Sequence, residues 1–222
     1  MVAEKMTVLK ASDGFELDAF LAEADGEKRG GIVILQEIFG VTDQLKSVAR
    51  MLAEKGYDTI VPALFDRVSP KTVVPFENAT DGRDIMNQVD NDKALLDIEA
   101  ARQAVDSGNG VSVLGFCWGG GLVWLAASEL DLKGGVSFYG TRLPTYMDHT
   151  PDCPLLFHFG ETDTANTPPE VIEQVKAEVP SAETYVYAAG HAFANDARTT
   201  YVEEAAVPAW ERSIDFLNRV HG

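Results

Sequence analysis

The sequence predicts an α/β fold, a mostly parallel eight-stranded sheet with helices on both faces. Apolar strand-like runs alternate with helical patterns along most of the chain, which is typical of parallel strands joined by helical crossovers. An Asp-Gly turn near the N-terminus separates two further strand-like runs, which indicates an antiparallel hairpin at a sheet edge. The 222 residues are 45% hydrophobic and 24% charged, an ordinary globular composition, so we expect a single domain spanning residues 1–222 without a large cap.

The hairpin strands are predicted at 6–11 and 15–22, around Ser12-Asp13-Gly14. The remaining strands are predicted at 31–36, 58–62, 111–115, 135–139, 154–159 and 183–187. Helices with apolar positions near a 3.6-residue period are predicted at 44–55, 85–104, 118–129, 168–178 and 202–218.

Residues 65–84 are polar, carry two prolines and have no clear periodicity. We expect an ordered excursion near the carboxyl ends of the strands. Two interpretations stay open: the excursion roofs a functional site, or it is a surface loop that no ligand contacts.

The composition excludes several classes of partner. A formal charge of −17 opposes binding to nucleic acid or to anionic membranes. The first ten residues lack the apolar core of a signal peptide, and no apolar run approaches the roughly 18 residues of a membrane span, so we expect a cytoplasmic protein. Both cysteines are expected to be free thiols, no metal-ligand spacing or cofactor is expected, and the lack of a large insertion favours a monomer.

The most informative motif is Gly115-Phe116-Cys117-Trp118-Gly119-Gly120-Gly121, which lies between a predicted strand and a predicted helix. A nucleophile elbow has this context, because a sharp strand-to-helix turn exposes the nucleophile and demands small neighbours two residues away. Cys117 stands where most such elbows carry serine. The motif predicts an α/β-hydrolase fold with Cys117 as nucleophile. The alternative is a glycine-rich turn around a buried thiol.

A thiol nucleophile needs a base, and the base needs an orienting acid. Asp163 and His191 each follow a later predicted strand, in the nucleophile, acid, histidine order of α/β-hydrolases. Glu161 is the rival acid, ranked second because Asp163 has more loop with which to reach a histidine. The other histidines are poorly placed for a catalytic base: His149, His158 and His221.

Residues 30–40 read as a strand entering a loop, where such folds take their second oxyanion donor. The backbone amides of Ile38 and Trp118 are the candidates. Glu37 lies beside them, and a carboxylate in this position is more often salt-bridged or on the surface than catalytic.

Four segments together resemble the dienelactone hydrolase (carboxymethylenebutenolidase) family over nearly the whole chain: Gln36 to Gly40, Gly115 to Gly120, Asp163, and Ala189 to Phe193. The resemblance implies that Cys117 is the nucleophile, His191 the base and later the acid, and Asp163 the orienting group. It also implies that Glu37 helps to deprotonate the thiol, which reverses the expectation for that residue taken alone. The expected substrate is a small ester or lactone.

One departure concerns the substrate. Lactone-hydrolysing members are expected to carry an arginine shortly after the histidine motif that grips the substrate carboxylate, whereas this chain has Asn195 there. Arg83 and Arg142 are candidates to supply the positive charge, although a solvated surface role is the commoner one for an arginine. Tyr139 is a candidate to line the pocket, with core packing as its alternative.

Two other functions stay open from the sequence alone. An exposed cysteine near His191 would also suit a thiol redox sensor, which requires Cys153 to lie close as the resolving partner. A binding protein that kept the fold and lost turnover is the other alternative.

Overall fold

The computed structural model describes residues 2–222. Its strands are β1 (Ala3–Lys10), β2 (Glu16–Glu23), β3 (Gly30–Leu35), β4 (Tyr57–Pro62), β5 (Val111–Phe116), β6 (Gly135–Phe138), β7 (Leu155–Gly160) and β8 (Glu183–Tyr187). They form an eight-stranded sheet in the order β1-β2-β4-β3-β5-β6-β7-β8. The predicted fold class is confirmed.

The helices are α1 (Asp43–Ala53), α2 (Ala79–Met86), α3 (Asn91–Val105), α4 (Trp118–Glu129), α5 (Pro169–Glu178) and α6 (Glu203–His221). Two short 3₁₀ helices span Phe76–Asn78 and Leu143–Thr145. Within the described residues 2–222, no helix is both long enough and apolar enough to cross a bilayer.

The chain divides into two compact units, Met1–Ser112 and Val113–Gly222. In the first unit, β1 and β2 form the predicted antiparallel hairpin, in which Lys10 pairs with Glu16 and the turn residue Gly14 has a φ of +88°. β2 pairs antiparallel with β4, and β4 pairs parallel with β3. Helices α1 and α3 pack on these strands.

The second unit is parallel throughout, from β5 through β6 and β7 to β8. All residues of β6 and β7 are buried, as expected for strands covered on both faces. Helix α4, which follows β5, is buried over Trp118 to Ala127 and packs on β6. The loops that leave the carboxyl ends of β5, β7 and β8 carry the predicted nucleophile, acid and base.

The helix predicted at 85–104 is wrong at its start. Helix α2 already ends at Met86, and α3 begins at Asn91. The Asp90 side chain caps α3 by accepting hydrogen bonds from the backbone amides of Asp92 (2.9 Å) and Lys93 (3.1 Å). The prediction failed here because the apolar periodicity continues across the boundary, whereas the cap at Asp90 separates the two helices.

The excursion at 65–84 is ordered, as predicted, and contains most of α2. It packs on the loop that follows β3: the Val74 amide donates to the Phe39 carbonyl at 3.0 Å, and the rings of Phe39 and Phe76 meet at 4.9 Å. A Cβ on Gly82 would lie 1.9 Å from the Ile38 carbonyl oxygen, so only glycine permits α2 to approach this closely. The excursion therefore covers the segment that carries Glu37 and Ile38.

Candidate active site

Cys117 has the strained backbone of a nucleophile elbow. It connects β5 to α4 with φ 53° and ψ −116°, a conformation that costs a non-glycine residue of order 1–3 kcal/mol. A Cβ on Gly115 would lie 2.1 Å from the Gly119 carbonyl oxygen, which explains the glycine two residues before the thiol. The local geometry fits the interpretation made from the motif.

The backbone of Cys117 is held on both sides. Its amide donates to the Phe138 carbonyl at 3.0 Å, and its carbonyl accepts from the Thr141 amide at 2.9 Å and the Gly121 amide at 3.1 Å. These bonds tie the elbow to the end of β6 and to the first turn of α4. Thr141 has no motif of its own in the sequence, so its contribution was not predicted.

Asp163 contacts His191. The Asp163 Oδ2 and His191 Nδ1 atoms are 2.5 Å apart, and the carboxylate is buried. The other oxygen, Oδ1, accepts from the Asn166 side-chain amide at 2.7 Å, which fixes the orientation of the carboxylate. The rival acid Glu161 is exposed, so the geometry favours Asp163 as the orienting group. Asn166 was missed in the sequence, although its spacing of three residues after the acid fits a turn.

The environment of His191 favours its protonated form. Burial alone would lower the pKa of His191, but hydrogen bonds to Asp163 and to Cys117 together raise this pKa to about 10. The imidazole thus lies between a carboxylate and a thiol. Such an arrangement can take the thiol proton and keep an imidazolium beside a thiolate.

Aromatic side chains pack against the His191 ring. The ring of Tyr139 meets it edge-on at 5.2 Å, and Phe193 packs on Tyr139 at 5.5 Å. Tyr139 is fully buried and has a φ of 41°. Its position beside the histidine shows core packing, and its contact with substrate stays a prediction.

His158 belongs to the core, not to the site. Burial lowers the pKa of His158 to about 3, so the ring is neutral. Ser213 Oγ donates to the Ala209 carbonyl at 2.8 Å, so it accepts a hydrogen bond from His158 Nε2 at 2.9 Å. Nδ1 then accepts from the Tyr187 hydroxyl at 2.9 Å, and this hydroxyl accepts from Arg212, also at 2.9 Å.

Replacing Tyr187 with phenylalanine is expected to destabilise the fold by about 1–3 kcal/mol, because the buried His158 Nδ1 loses its donor. Urea unfolding measures this change. Tyr185→Phe is the matched control, since the Tyr185 hydroxyl has only a long 3.4 Å contact with Glu183. Equal stability of the two variants would contradict the network.

The predicted residues of the first unit lie on the loop after β3 and on α2. Glu37 is 3% exposed, and its carbonyl accepts from the Gln36 side chain at 3.2 Å. The Gln36 side-chain oxygen in turn accepts from the Leu64 amide at 3.0 Å, which ties this loop to the chain that follows β4. Glu37 is therefore not the surface carboxylate that its position taken alone allowed, and its role in deprotonating the thiol stays a prediction.

The other predicted site residues differ in exposure. Trp118 is the first residue of α4, where the backbone amides point ahead of the helix. Arg83 and Arg142 are exposed. Asn195 is buried, and its side-chain oxygen accepts from the Ala197 amide at 3.1 Å, so it stabilises a turn, and its contact with substrate stays a prediction. Among residues 2–222, no group of three or more His, Cys, Asp and Glu side chains could hold a metal ion.

Cys153 lies too far from Cys117 to act as a resolving thiol. Val113, Gly135 and Leu155 are level in neighbouring strands. Cys117 follows Val113 by four residues, and Cys153 precedes Leu155 by two. The two thiols are therefore about six residues apart along the strand direction, or roughly 20 Å at about 3.3 Å per residue. Both thiols are free, as predicted, and burial raises the pKa of Cys153 to about 11. The redox alternative thus lacks the internal partner that it requires.

Comparison with known proteins identifies the family of this chain. The model of the dienelactone hydrolase family matches residues 17–221. A Yersinia pestis protein is 34% identical over 95% of this chain and 86% of its own length. The carboxymethylenebutenolidase of Pseudomonas putida is 29% identical over 98% of this chain and 97% of its own length.

A solved structure supports the same assignment. A crystal structure from Klebsiella pneumoniae superposes with a TM-score of 0.85 at 27% identity, over 98% of both chains. The family model covers almost the whole chain. The chain belongs to the dienelactone hydrolase family.

Proposed function

We propose that this chain is a cysteine-dependent hydrolase of a small carboxylic ester or lactone, acting through a thioester acyl-enzyme. Family membership supports hydrolysis of ester or lactone bonds. The observation that carries the cysteine mechanism is the His191 side chain, which bonds both to the buried Asp163 and to Cys117 at a strained elbow.

In the first half of the reaction, His191 accepts the Cys117 proton and the thiolate attacks the acyl carbon. A carbon–sulfur bond forms, and the carbonyl π electrons move to its oxygen. When the tetrahedral intermediate collapses, the carbon–oxygen bond to the leaving group breaks. The leaving alkoxide or enolate takes the proton from His191.

In the second half, neutral His191 removes a proton from water and the resulting hydroxide attacks the thioester. Collapse of the second tetrahedral intermediate breaks the carbon–sulfur bond and releases the acid. The thiolate and the imidazolium are then restored, so no further reactant is consumed. Throughout, Asp163 keeps Nδ1 of His191 protonated and leaves Nε2 to carry the moving proton.

The backbone amides of Ile38 and Trp118 are the proposed donors to the carbonyl oxygen. Donors aimed at the developing oxyanion contribute about 2.7–4 kcal/mol each where they have been measured. Glu37 is the proposed activator of the thiol, on the strength of its family position and its burial at the end of β3. Desolvation by a bound substrate disfavours the charged form of a carboxylate, which would help Glu37 to accept a proton.

The proposed substrate is small, and two exposed arginines are the candidates to bind its carboxylate. Arg142 follows Thr141, whose amide bonds to the Cys117 carbonyl, so the backbone of this exposed arginine lies close to the elbow. Arg83 follows Gly82, which touches Ile38. Both arginines are proposed to contribute positive charge for a substrate carboxylate, with Tyr139 and Asn195 as further candidates for substrate contact.

The test combines rates with detection of the intermediate. We expect turnover of a neutral aryl ester such as p-nitrophenyl acetate, with an acetyl group found by rapid quench and peptide mass spectrometry on the peptide that contains Cys117. Initial rates with cis-dienelactone, compared between wild type, Arg83→Gln and Arg142→Gln, test whether either arginine binds the substrate carboxylate. An acetyl group only on other residues, or turnover without any adduct under single-turnover conditions, would contradict the thioester route.

A further inference from the structure

The outer edge of β1 carries a self-complementary pattern. β1 is the first strand in the sheet order, and its partner in the sheet is β2. The backbone groups along its other edge are a template on which a further strand can pair. Which residues point to this edge follows from the hydrogen bonds of β2.

The backbone of Asp18 in β2 points away from β1. Its amide donates to Asp66 Oδ2 at 2.8 Å, and its carbonyl accepts from the Ala63 amide at 2.9 Å. Because residues alternate along an antiparallel ladder, Leu17 and Ala19 point their backbone groups toward β1. Their partners in β1 are Leu9 and Thr7.

By the same alternation, the other set of residues in β1 points its amides and carbonyls to the open edge. These residues are Glu4, Met6, Val8 and Lys10. Their side chains also share one face of the sheet, because side chains alternate along a strand. The side chains of Met6 and Val8 are 54% and 59% exposed, among the few large apolar side chains with so much exposure in the described chain.

An antiparallel pairing centred on Thr7 matches this pattern with itself. Glu4 of one copy then lies opposite Lys10 of the other, and Met6 lies opposite Val8. All these positions point their backbone groups at one another, so each opposed pair exchanges two hydrogen bonds. Opposite charges thus flank an apolar centre.

Other registers lose this match. The allowed shift by two residues in one direction places Met6 opposite Met6 and Glu4 opposite Val8. The shift in the other direction places Val8 opposite Val8 and Lys10 opposite Met6. Neither shift brings Glu4 opposite Lys10, so the register centred on Thr7 is selected by charge.

We propose that the open edge of β1 is an interface that binds β1 of a second copy of this chain, in antiparallel register about Thr7. The interface is isologous, because each residue pair occurs twice about a two-fold axis. Glu4 also forms an ion pair with Arg50, so in the dimer its carboxylate lies between Arg50 and Lys10 of the other copy. Each copy carries a charge of −17, and salt at about 0.15 M, with a Debye length of about 8 Å, screens the long-range repulsion between them.

Sedimentation equilibrium over a wide concentration range at that ionic strength tests the proposal. The wild type is expected to show a concentration-dependent dimer. In a dimer of Lys10→Glu, the new glutamate faces Glu4 of the other copy at each end of the interface. In a dimer of Glu4→Lys, the new lysine faces Lys10 of the other copy. Each variant alone is therefore expected to dimerise at least about tenfold more weakly. An equimolar mixture of the two variants restores opposite charges in both pairs and is expected to form a heterodimer at least as tightly as the wild type.

Lys5→Glu is the matched control. It changes the net charge as much as Lys10→Glu does, but Lys5 lies on the other face of β1, opposite Leu9 in the proposed register. This control is expected to dimerise like the wild type, and thermal unfolding of every variant verifies the fold. A wild type that stays monomeric at all concentrations would overturn the proposal, as would a dimer whose two charge variants do not recover on mixing.

Discussion

Replacing Cys117 with alanine is expected to lower kcat/KM for ester hydrolysis by at least about 10⁴-fold, because loss of the nucleophile removes the covalent route and leaves only binding and oxyanion stabilisation. The fold should survive, since the substitution removes one sulfur atom from a side chain that is 9% exposed. Initial rates with p-nitrophenyl acetate measure the loss, and circular dichroism verifies that the variant is folded.

Cys153→Ala is the matched control for this experiment. It removes the other thiol, which lies at the opposite, amino end of the parallel strands, and its expected kcat/KM is that of the wild type. Turnover retained in Cys117→Ala would contradict the proposed cysteine-dependent hydrolysis. Loss of turnover in both variants would point instead to a general requirement for thiols in the fold.

The elbow could be predicted from the sequence because its requirements are local. A turn with φ 53° at Cys117 leaves no room for a side chain at Gly115, so the glycine spacing reports directly on the backbone. The later loops could be placed because each follows a strand-like run, although β7 is buried throughout and β8 is only partly buried. The order of strand ends then fixed which acid and which histidine to consider.

Other features depend on tertiary contacts that no local pattern reports. The sequence ranks Asp163 above Glu161 only by loop length, whereas the structure distinguishes them by the 2.5 Å contact of Asp163 with His191 and by the exposure of Glu161. The helix predicted at 85–104 joined two helices because apolar periodicity alone does not reveal a cap at Asp90. Helix α2 was missed because residues 65–84 are polar and have no clear apolar periodicity, and its packing depends on Gly82 against Ile38, a contact between segments far apart in the sequence.

Replacing Asp163 with asparagine is expected to lower kcat by about 10³- to 10⁴-fold, because the amide no longer holds His191 in the tautomer that accepts the thiol proton. The shape of the side chain is conserved, so the loss reports on charge rather than packing. Glu161→Gln makes the same change of charge two residues earlier at an exposed position and is expected to leave kcat unchanged. Similar losses in both variants would contradict the assignment of the acid.

The same substitution tests the electrostatics of His191 through stability. The pKa of His191 is raised from 6.5 to about 10 in the folded protein, so its contribution to stability is fully present below about pH 6.5 and is lost as the pH rises to about 10. In Asp163→Asn the largest of the contacts that raise this pKa is gone, while burial still lowers it. The difference in unfolding free energy between wild type and variant is therefore expected to be largest near pH 6 and to shrink steadily toward pH 10. Urea unfolding at several pH values measures it. Groups that titrate alike in both proteins cancel in this difference, so a difference that is constant with pH would mean that Asp163 does not control the protonation of His191.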